Sequence, residues 1–238
     1  MTSAIVLFFR SLLFYLGYVP ITILMSALFI VLFPITPGRR RHIFASTWCN
    51  TVLNWLRISC NIRYRIIGQE NLPEQPVVIL ANHQSSWETM LFYKLKFPVS
   101  PVLKKELMNI PFWGWAMRLQ KPIAIDRTQP REAGKSLLTQ GVERIREGNS
   151  VIVFPEGTRS SSGMIRRFSR GGAKLAVAAG VPIVPIAHNA GDCWPARMFL
   201  KRPGTIRVVI GEPVPSAEKD ANELTTQVEH WIRQQLLA

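Results

Sequence analysis

From Ser11 to Thr36 the chain carries no charged residue, and Leu, Ile, Val, Phe and Tyr fill most of the positions. A run of ~20 apolar residues is enough to cross the hydrocarbon of a bilayer. A stretch of this length must therefore be sheathed by protein or placed in lipid. A secretory signal would show a basic start, a shorter apolar core and a small-residue cleavage site, and none is present. Pro20 is expected to kink a helix here and Pro34 to end it. Arg39, Arg40 and Arg41 follow, and no acidic residue precedes Glu70. The positive-inside rule places the arginine-bearing side in the cytoplasm. The expectation is a protein of the cell (inner) membrane with its remaining chain on the cytoplasmic side. Hydropathy leaves open whether the segment crosses or lies half-immersed.

The charge balance points to an anionic partner. Over 238 residues, 29 Lys and Arg stand against 15 Asp and Glu, a formal charge of +14. That suits a nucleic acid, an anionic bilayer, an acidic protein or a phosphorylated substrate. The 47% hydrophobic content excludes an acidic disordered chain. Three cysteines, Cys49, Cys60 and Cys193, form no C-x-x-C pair and cannot all pair internally, which favours a reducing compartment. His42 to Cys60 reads as an amphipathic helix. His42, Ser46, Asn50, Asn54, Arg57 and Asn61 lie on one side, with Phe44, Trp48, Val52, Trp55 and Leu56 on the other. After an apolar segment and an arginine triplet, it is expected to lie on anionic lipid with its Trp residues at headgroup level. Packing on the protein's own domain is the alternative. Residues 1–60 are thus expected to anchor the protein, with a hydrophobic segment at about 5–36 and an amphipathic helix at about 40–60.

Beyond Asn61 strand-like and helix-like stretches alternate. Asn61–Gly68, Val77–Ala81, Ser100–Leu103, Pro122–Asp126, Ser150–Phe154, Pro182–Ala187 and Thr205–Ile210 read as extended. Ser86–Leu95, Pro111–Leu119, Arg131–Glu147, Gly172–Ala179 and Asn222–Leu237 read as helical. Continuous apolar runs such as Val77–Ala81 are typical of buried parallel strands. This pattern predicts an α/β fold for residues 61–238: one domain with a largely parallel sheet flanked by helices, on an N-terminal membrane-associated helical foot. No repeat or low-complexity tract interrupts it, and the one linker is Pro34–Gly38.

In such sheets chemistry gathers beyond the carboxyl ends of the strands, and four loops there are loaded. Asn82-His83-Gln84-Ser85-Ser86-Trp87-Glu88 follows the Val77–Ala81 strand. A carboxylate five positions after a histidine can fix its tautomer and stabilise the imidazolium, as a general base requires. Ser85-x-x-Glu88 is equally a capping box. Phe154-Pro155-Glu156-Gly157-Thr158-Arg159-Ser160 offers a glycine, two hydroxyls and a guanidinium, suited to cradling phosphate or to an ordinary turn. Ile125-Asp126-Arg127 places a second arginine at a strand end, free for phosphate or paired to Asp126. The prolines of Val181-Pro182-Ile183-Val184-Pro185-Ile186 predict an edge or irregular strand.

Together and in this order, the four blocks resemble the phospholipid/glycerol acyltransferase family. NHQSSWE is similar to its first motif, H-x-x-x-x-D, with Glu in the final place. KKELMNIPFWGWAMRLQKPIAIDR, FPEGTRS and VPIVPI resemble the second, third and fourth, over about Val77 to Asn189. The resemblance implies that His83 is the base and Glu88 its orienting partner. It implies that Arg127, Glu156, Gly157, Thr158 and Arg159 hold the glycerol phosphate, with Lys104 or Lys105 adding charge. Glu for Asp at position 88 is a departure, since one methylene moves the carboxylate by roughly 1.5 Å.

The implied reaction carries an acyl chain from acyl-CoA or acyl carrier protein, as co-substrate, to the sn-2 hydroxyl of lysophosphatidate, giving phosphatidate for phospholipid biosynthesis. Transfer is direct: His83 takes the hydroxyl proton, backbone N–H groups stabilise the oxyanion, and the imidazolium protonates the thiolate. No Gly-x-Ser-x-Gly elbow is present. The histidines show no metal-ligand spacing, so neither metal nor cofactor is expected. Glycerol 3-phosphate or another lysolipid is an alternative acceptor, and a non-catalytic lipid-binding protein is an alternative class. Nucleic acid is not expected, because the sequence has no zinc-finger spacing, aromatic RNA-binding block or basic heptad helix.

Overall fold

The structure is a computed structural model and describes residues 3–37 and 40–237. Gly38 and Arg39, parts of the expected linker and arginine triplet, lie outside the described residues. Two long helices come first, α1 (Ala4–Leu32) and α2 (Arg41–Cys60). There follow β1 (Ile62–Ile67), β2 (Val78–Ala81), α3 (Trp87–Leu95), β3 (Val99–Lys104), α4 (Trp113–Leu119) and β4 (Ile123–Ile125). The second half is α5 (Pro130–Arg146), β5 (Ser150–Val153), α6 (Gly171–Ala179), β6 (Ile183–His188), α7 (Ala190–Cys193), β7 (Gly204–Ile210) and α8 (Ala221–Leu237).

Among the described residues the seven strands form one sheet in the order β1-β7-β6-β2-β5-β3-β4, parallel throughout except between β6 and β7. Side chains alternate across a strand, so each continuous apolar run feeds two cores. On β2, Ile79 and Ala81 join α1, α2 and α3 on one face, while Val78 and Leu80 join α5, α6 and α8 on the other. Both faces are covered. That is why the strands read as unbroken hydrophobic runs.

Two expectations need correction. The proline-bearing strand β6 is neither an edge nor irregular; it lies between β2 and β7 and is buried at every residue. Pro185 is tolerated because its missing N–H faces the β7 side just past Ile210, where that strand has ended. Its carbonyl still accepts from the Gly211 N–H. The second correction concerns α2. Its apolar residues Cys49, Val52, Leu53, Leu56 and Cys60 are buried in the protein rather than free for lipid. Trp48 and Trp55 turn inward too, donating to the Thr22 hydroxyl (3.2 Å) and the Phe14 carbonyl (3.0 Å) of α1. In sequence, an apolar stripe looks the same whether it meets lipid or a neighbouring helix.

α1 continues as helix through Pro20, and its last turn gives way at Phe33–Ile35 around Pro34. Ser11, Phe14, Ser26 and Phe29 are buried along one stripe of it. The opposite side leaves Ile5, Phe9, Leu16, Leu24, Leu28 and Val31 exposed.

Candidate active site

The carboxyl ends of β2, β5 and β6 meet at one place. β2 ends at Ala81, so the chain turns out of the sheet at Asn82 and His83. The Asn82 amide and His188, the last residue of β6, are tied in both directions. Nδ2 donates to the His188 carbonyl (2.9 Å), and the His188 N–H donates to Oδ1 (3.0 Å). His188 Nε2 bonds the Asn82 carbonyl (2.8 Å), while its Nδ1 accepts from the Ala190 N–H (3.3 Å). In the neutral ring these bonds place the proton on Nε2. Its pKa is lowered, first by burial and against the pull of Glu88.

His83 follows directly. Its Nδ1 lies 2.8 Å from Glu88 Oε1, and its ring stacks on Phe154 at 4.1 Å between centroids. Facing a carboxylate, Nδ1 carries the hydrogen, so Nε2 keeps its lone pair. The same Oε1 accepts from the N–H groups of Gln84 (3.0 Å) and Ser85 (2.8 Å). Ser85 Oγ in turn accepts from the Trp87 N–H at the start of α3 (3.1 Å). Capping and orienting, which the sequence offers as alternatives, are thus done by one oxygen. Glu88 is fully buried. Burial pushes its pKa up, but His188, His83 and the Ser85 N–H outweigh it and hold the carboxyl below the ordinary range.

The loop after β5 is stitched to this one. Glu156 Oε1 accepts from the His83 N–H (2.7 Å); Oε2 accepts from the Ser160 hydroxyl and the Arg166 N–H. The Ser160 N–H closes back onto the His83 carbonyl (2.7 Å). Both oxygens of Glu156 are therefore engaged inside the protein. The carboxylate is placed to hold the His83 backbone rather than to meet a phosphate, which it would also repel. Gly157, at φ +71°, takes the left-handed conformation that turns the loop.

The cations are held differently. Arg159 is exposed, its Nε donating to the Ser85 carbonyl (3.0 Å). Arg127 donates to the Gly157 carbonyl and not to Asp126, which takes the Thr128 N–H and hydroxyl instead. Burial lowers the Arg127 pKa, Glu106 opposes this, and Arg159 adds to it. Thr158 is half-buried in the same turn. Lys104 and Lys105 are exposed at the end of β3, and Lys105 borders a depression with Asp126 and Glu132. Neither lysine bonds to the His83 network among the described residues. The sequence reading missed Asn82, Gln84 and His188 as site-builders. The Gln84 carbonyl oxygen accepts from the Gly191 N–H (3.1 Å). Their only signal was position, at the ends of two strands that turn out to be neighbours.

The model of the Acyltransferase family matches residues 63–189, more than half of the chain and all of the loops above. The chain belongs to the acyltransferase family. It is 46% identical to the 1-acyl-sn-glycerol-3-phosphate acyltransferase of Pseudomonas aeruginosa, over 94% of this chain and 88% of that protein. A 1-acyl-sn-glycerol-3-phosphate acyltransferase of Chlamydomonas reinhardtii is 36% identical, over 67% of this chain and 48% of that protein. Among solved structures, the 1-acyl-sn-glycerophosphate acyltransferase of Thermotoga maritima shares the fold. Its TM-score is 0.81, with 23% identity over 95% of this chain and 93% of that one. This acyltransferase accordingly shares the fold of that structure over nearly its whole length.

Proposed function

We propose that this acyltransferase moves an acyl chain from a thioester donor, acyl-CoA or acyl carrier protein, to the sn-2 hydroxyl of lysophosphatidate. The observation that carries the chemistry is the His83 Nδ1–Glu88 Oε1 contact at 2.8 Å, which leaves Nε2 with a lone pair. Nε2 takes the acceptor's hydroxyl proton as that oxygen attacks the thioester carbonyl. Collapse of the tetrahedral adduct breaks the C–S bond, and the imidazolium returns the proton to the leaving thiolate. Glu88 stays ionised throughout and stabilises the imidazolium. Glu156, Asn82 and His188 hold the base in position. Arg159 attracts the acceptor phosphate, with Arg127 fixing the Gly157 turn beside it and Thr158 offering a hydroxyl. Lys104 and Lys105 add long-range attraction for anionic substrates. No metal or cofactor is required by this sequence of steps.

The acceptor is amphiphilic, and the protein is built to meet it at a bilayer. α1 packs along the domain through one stripe and leaves an apolar face outside. A helix held to a folded domain along its length cannot cross the bilayer alone, so α1 lies in the cytoplasmic leaflet with the domain on the cytoplasmic side. The +14 charge serves the anionic surface rather than nucleic acid.

Transfer by purified protein, tested with lysophosphatidate, glycerol 3-phosphate and other lysolipids against both donors, decides the reading. Lysophosphatidate should be preferred. Preference for another acceptor would replace it, and no transfer to any acceptor would leave a lipid-binding protein.

A further inference from the structure

A second apolar surface lies outside α1. Leu107, Ile110, Phe112 and Trp115 are 36–47% exposed within one short stretch leading into α4. Large apolar residues scattered singly over a surface need no explanation, but a cluster does. The stretch is not a loose loop whose side chains could fold away. Gly114 N–H donates to the Ile110 carbonyl (2.8 Å) and Ala116 N–H to the Phe112 carbonyl (2.9 Å). Arg118 bonds the Met108 carbonyl (3.2 Å) and the Asn109 side chain (2.7 Å). A Cβ on Gly114 would come within 2.6 Å of the Leu107 carbonyl oxygen, so backbone packs on backbone here. Phe112 is held at φ +59°, a conformation rare for a residue with a side chain, with its ring 5.5 Å from that of Trp115. The exposure is fixed by the fold.

We infer that this stretch is a second lipid-contacting surface, inserted into an anionic bilayer beside α1. Two observations identify the occupant. α4 packs on the second half of α1, where Trp113, Ala116 and Met117 share a small cavity with Met25 and Phe29. That same half of α1 carries the exposed Leu24, Leu28 and Val31, so apolar side chains are exposed on both packed helices. The rim is cationic: Lys104, Lys105 and Arg118 are exposed, against Glu106. Aromatic and aliphatic side chains ringed by Lys and Arg match the boundary of an anionic membrane, where rings sit among headgroups and cations meet phosphates. Two contacts instead of one helix fix how the domain tilts on the leaflet.

The inference rests on the membrane reading of α1, and one experiment separates the two. An environment-sensitive fluorophore is attached in turn to Ile110→Cys, Leu24→Cys and Lys219→Cys in the full chain; the native Cys49, Cys60 and Cys193 are buried. Vesicles of phosphatidylethanolamine and phosphatidylglycerol are then added. The expected result is a blue shift at positions 110 and 24 and none at 219. A shift at 24 without one at 110 overturns the second surface and leaves α1 as the membrane contact. No shift at either overturns both. A shift at 110 produced by acyl carrier protein and not by vesicles would make the surface a protein dock and overturn the inference. As a second readout, Ile110→Ser combined with Trp115→Ser should weaken vesicle binding roughly tenfold; unchanged binding counts against it.

Discussion

Beyond the carboxyl ends of the strands, His83 in a buried loop and Glu88 in the first turn of α3 are tied on every side, whereas Lys104, Lys105 and Arg159 stand in solvent. The first group is held by Glu156, Ser160, Asn82 and His188, drawn from the ends of three strands. In the second, Arg159 has one bond to a carbonyl. On the proposed function, the difference follows from two tasks. Moving a proton tolerates little displacement, because an error of ~1 Å costs orders of magnitude in rate. Attracting a phosphate needs charge nearby and tolerates motion. Substitutions in the buried group should therefore lower kcat, and those among the exposed cations should raise KM.

The largest expected effect is at the proposed base. His83→Ala should reduce transfer by roughly 10²–10⁴-fold, with thermal unfolding and vesicle binding little changed. Substantial residual turnover would remove the general-base role. Next comes Glu156→Gln. A single amide oxygen cannot accept from the His83 N–H on one side and from Ser160 and Arg166 on the other. kcat should fall about ten- to a hundred-fold with KM for lysophosphatidate nearly constant. A rise in KM alone would return Glu156 to the phosphate site. Arg159→Ala reverses the pattern: KM for the phosphorylated acceptor rises about ten-fold or more, as for one lost charge-assisted hydrogen bond, while kcat changes less. Undiminished discrimination against an acceptor lacking phosphate would contradict this.

The smallest effect belongs to a buried cation remote from the chemistry. Lys201 Nζ donates to the Tyr15 hydroxyl (2.6 Å) and the Phe199 carbonyl (2.8 Å), pinning α1 to the domain. Burial lowers its pKa to about 8, against Cys60, which raises it. Between that value and the ordinary lysine range the unfolded chain binds more protons than the folded one, so this residue's contribution to stability rises with pH. Wild type should gain thermal stability relative to Lys201→Met from pH 8 to pH 10. Parallel curves for the two proteins would refute the assignment.

How far the sequence could be read tracks how local each signal was. Strand runs and the His83–Glu88 spacing depend on a few consecutive residues; the runs appear in the structure as strands and the spacing as one turn of chain. Pro185 misled because an edge and an unladdered spot within a sheet look alike until β7's endpoint is known. α2 misled because Trp48 and Trp55 find partners on α1 more than twenty residues earlier. Glu156 looked like part of a phosphate cradle, and only the folded backbone of His83 shows where its oxygens go. Asn82 and His188 are 106 residues apart, and nothing in either stretch announces the other.

The proposed chemistry requires Glu88 to act as an anion behind His83 and not merely as a helix cap. Among the described residues its three bonds reach Oε1 and none reaches Oε2, so Gln can keep the geometry while losing the charge. Transfer rates and thermal unfolding, measured together for wild type, Glu88→Gln and Glu88→Asp, test this directly. The expected result is a loss of roughly 10²–10³-fold for Gln with only a modest drop in stability, and substantial activity for Asp, which restores the charge at shorter reach. Equal rates for Gln and Glu would leave residue 88 a cap and His83 without its partner.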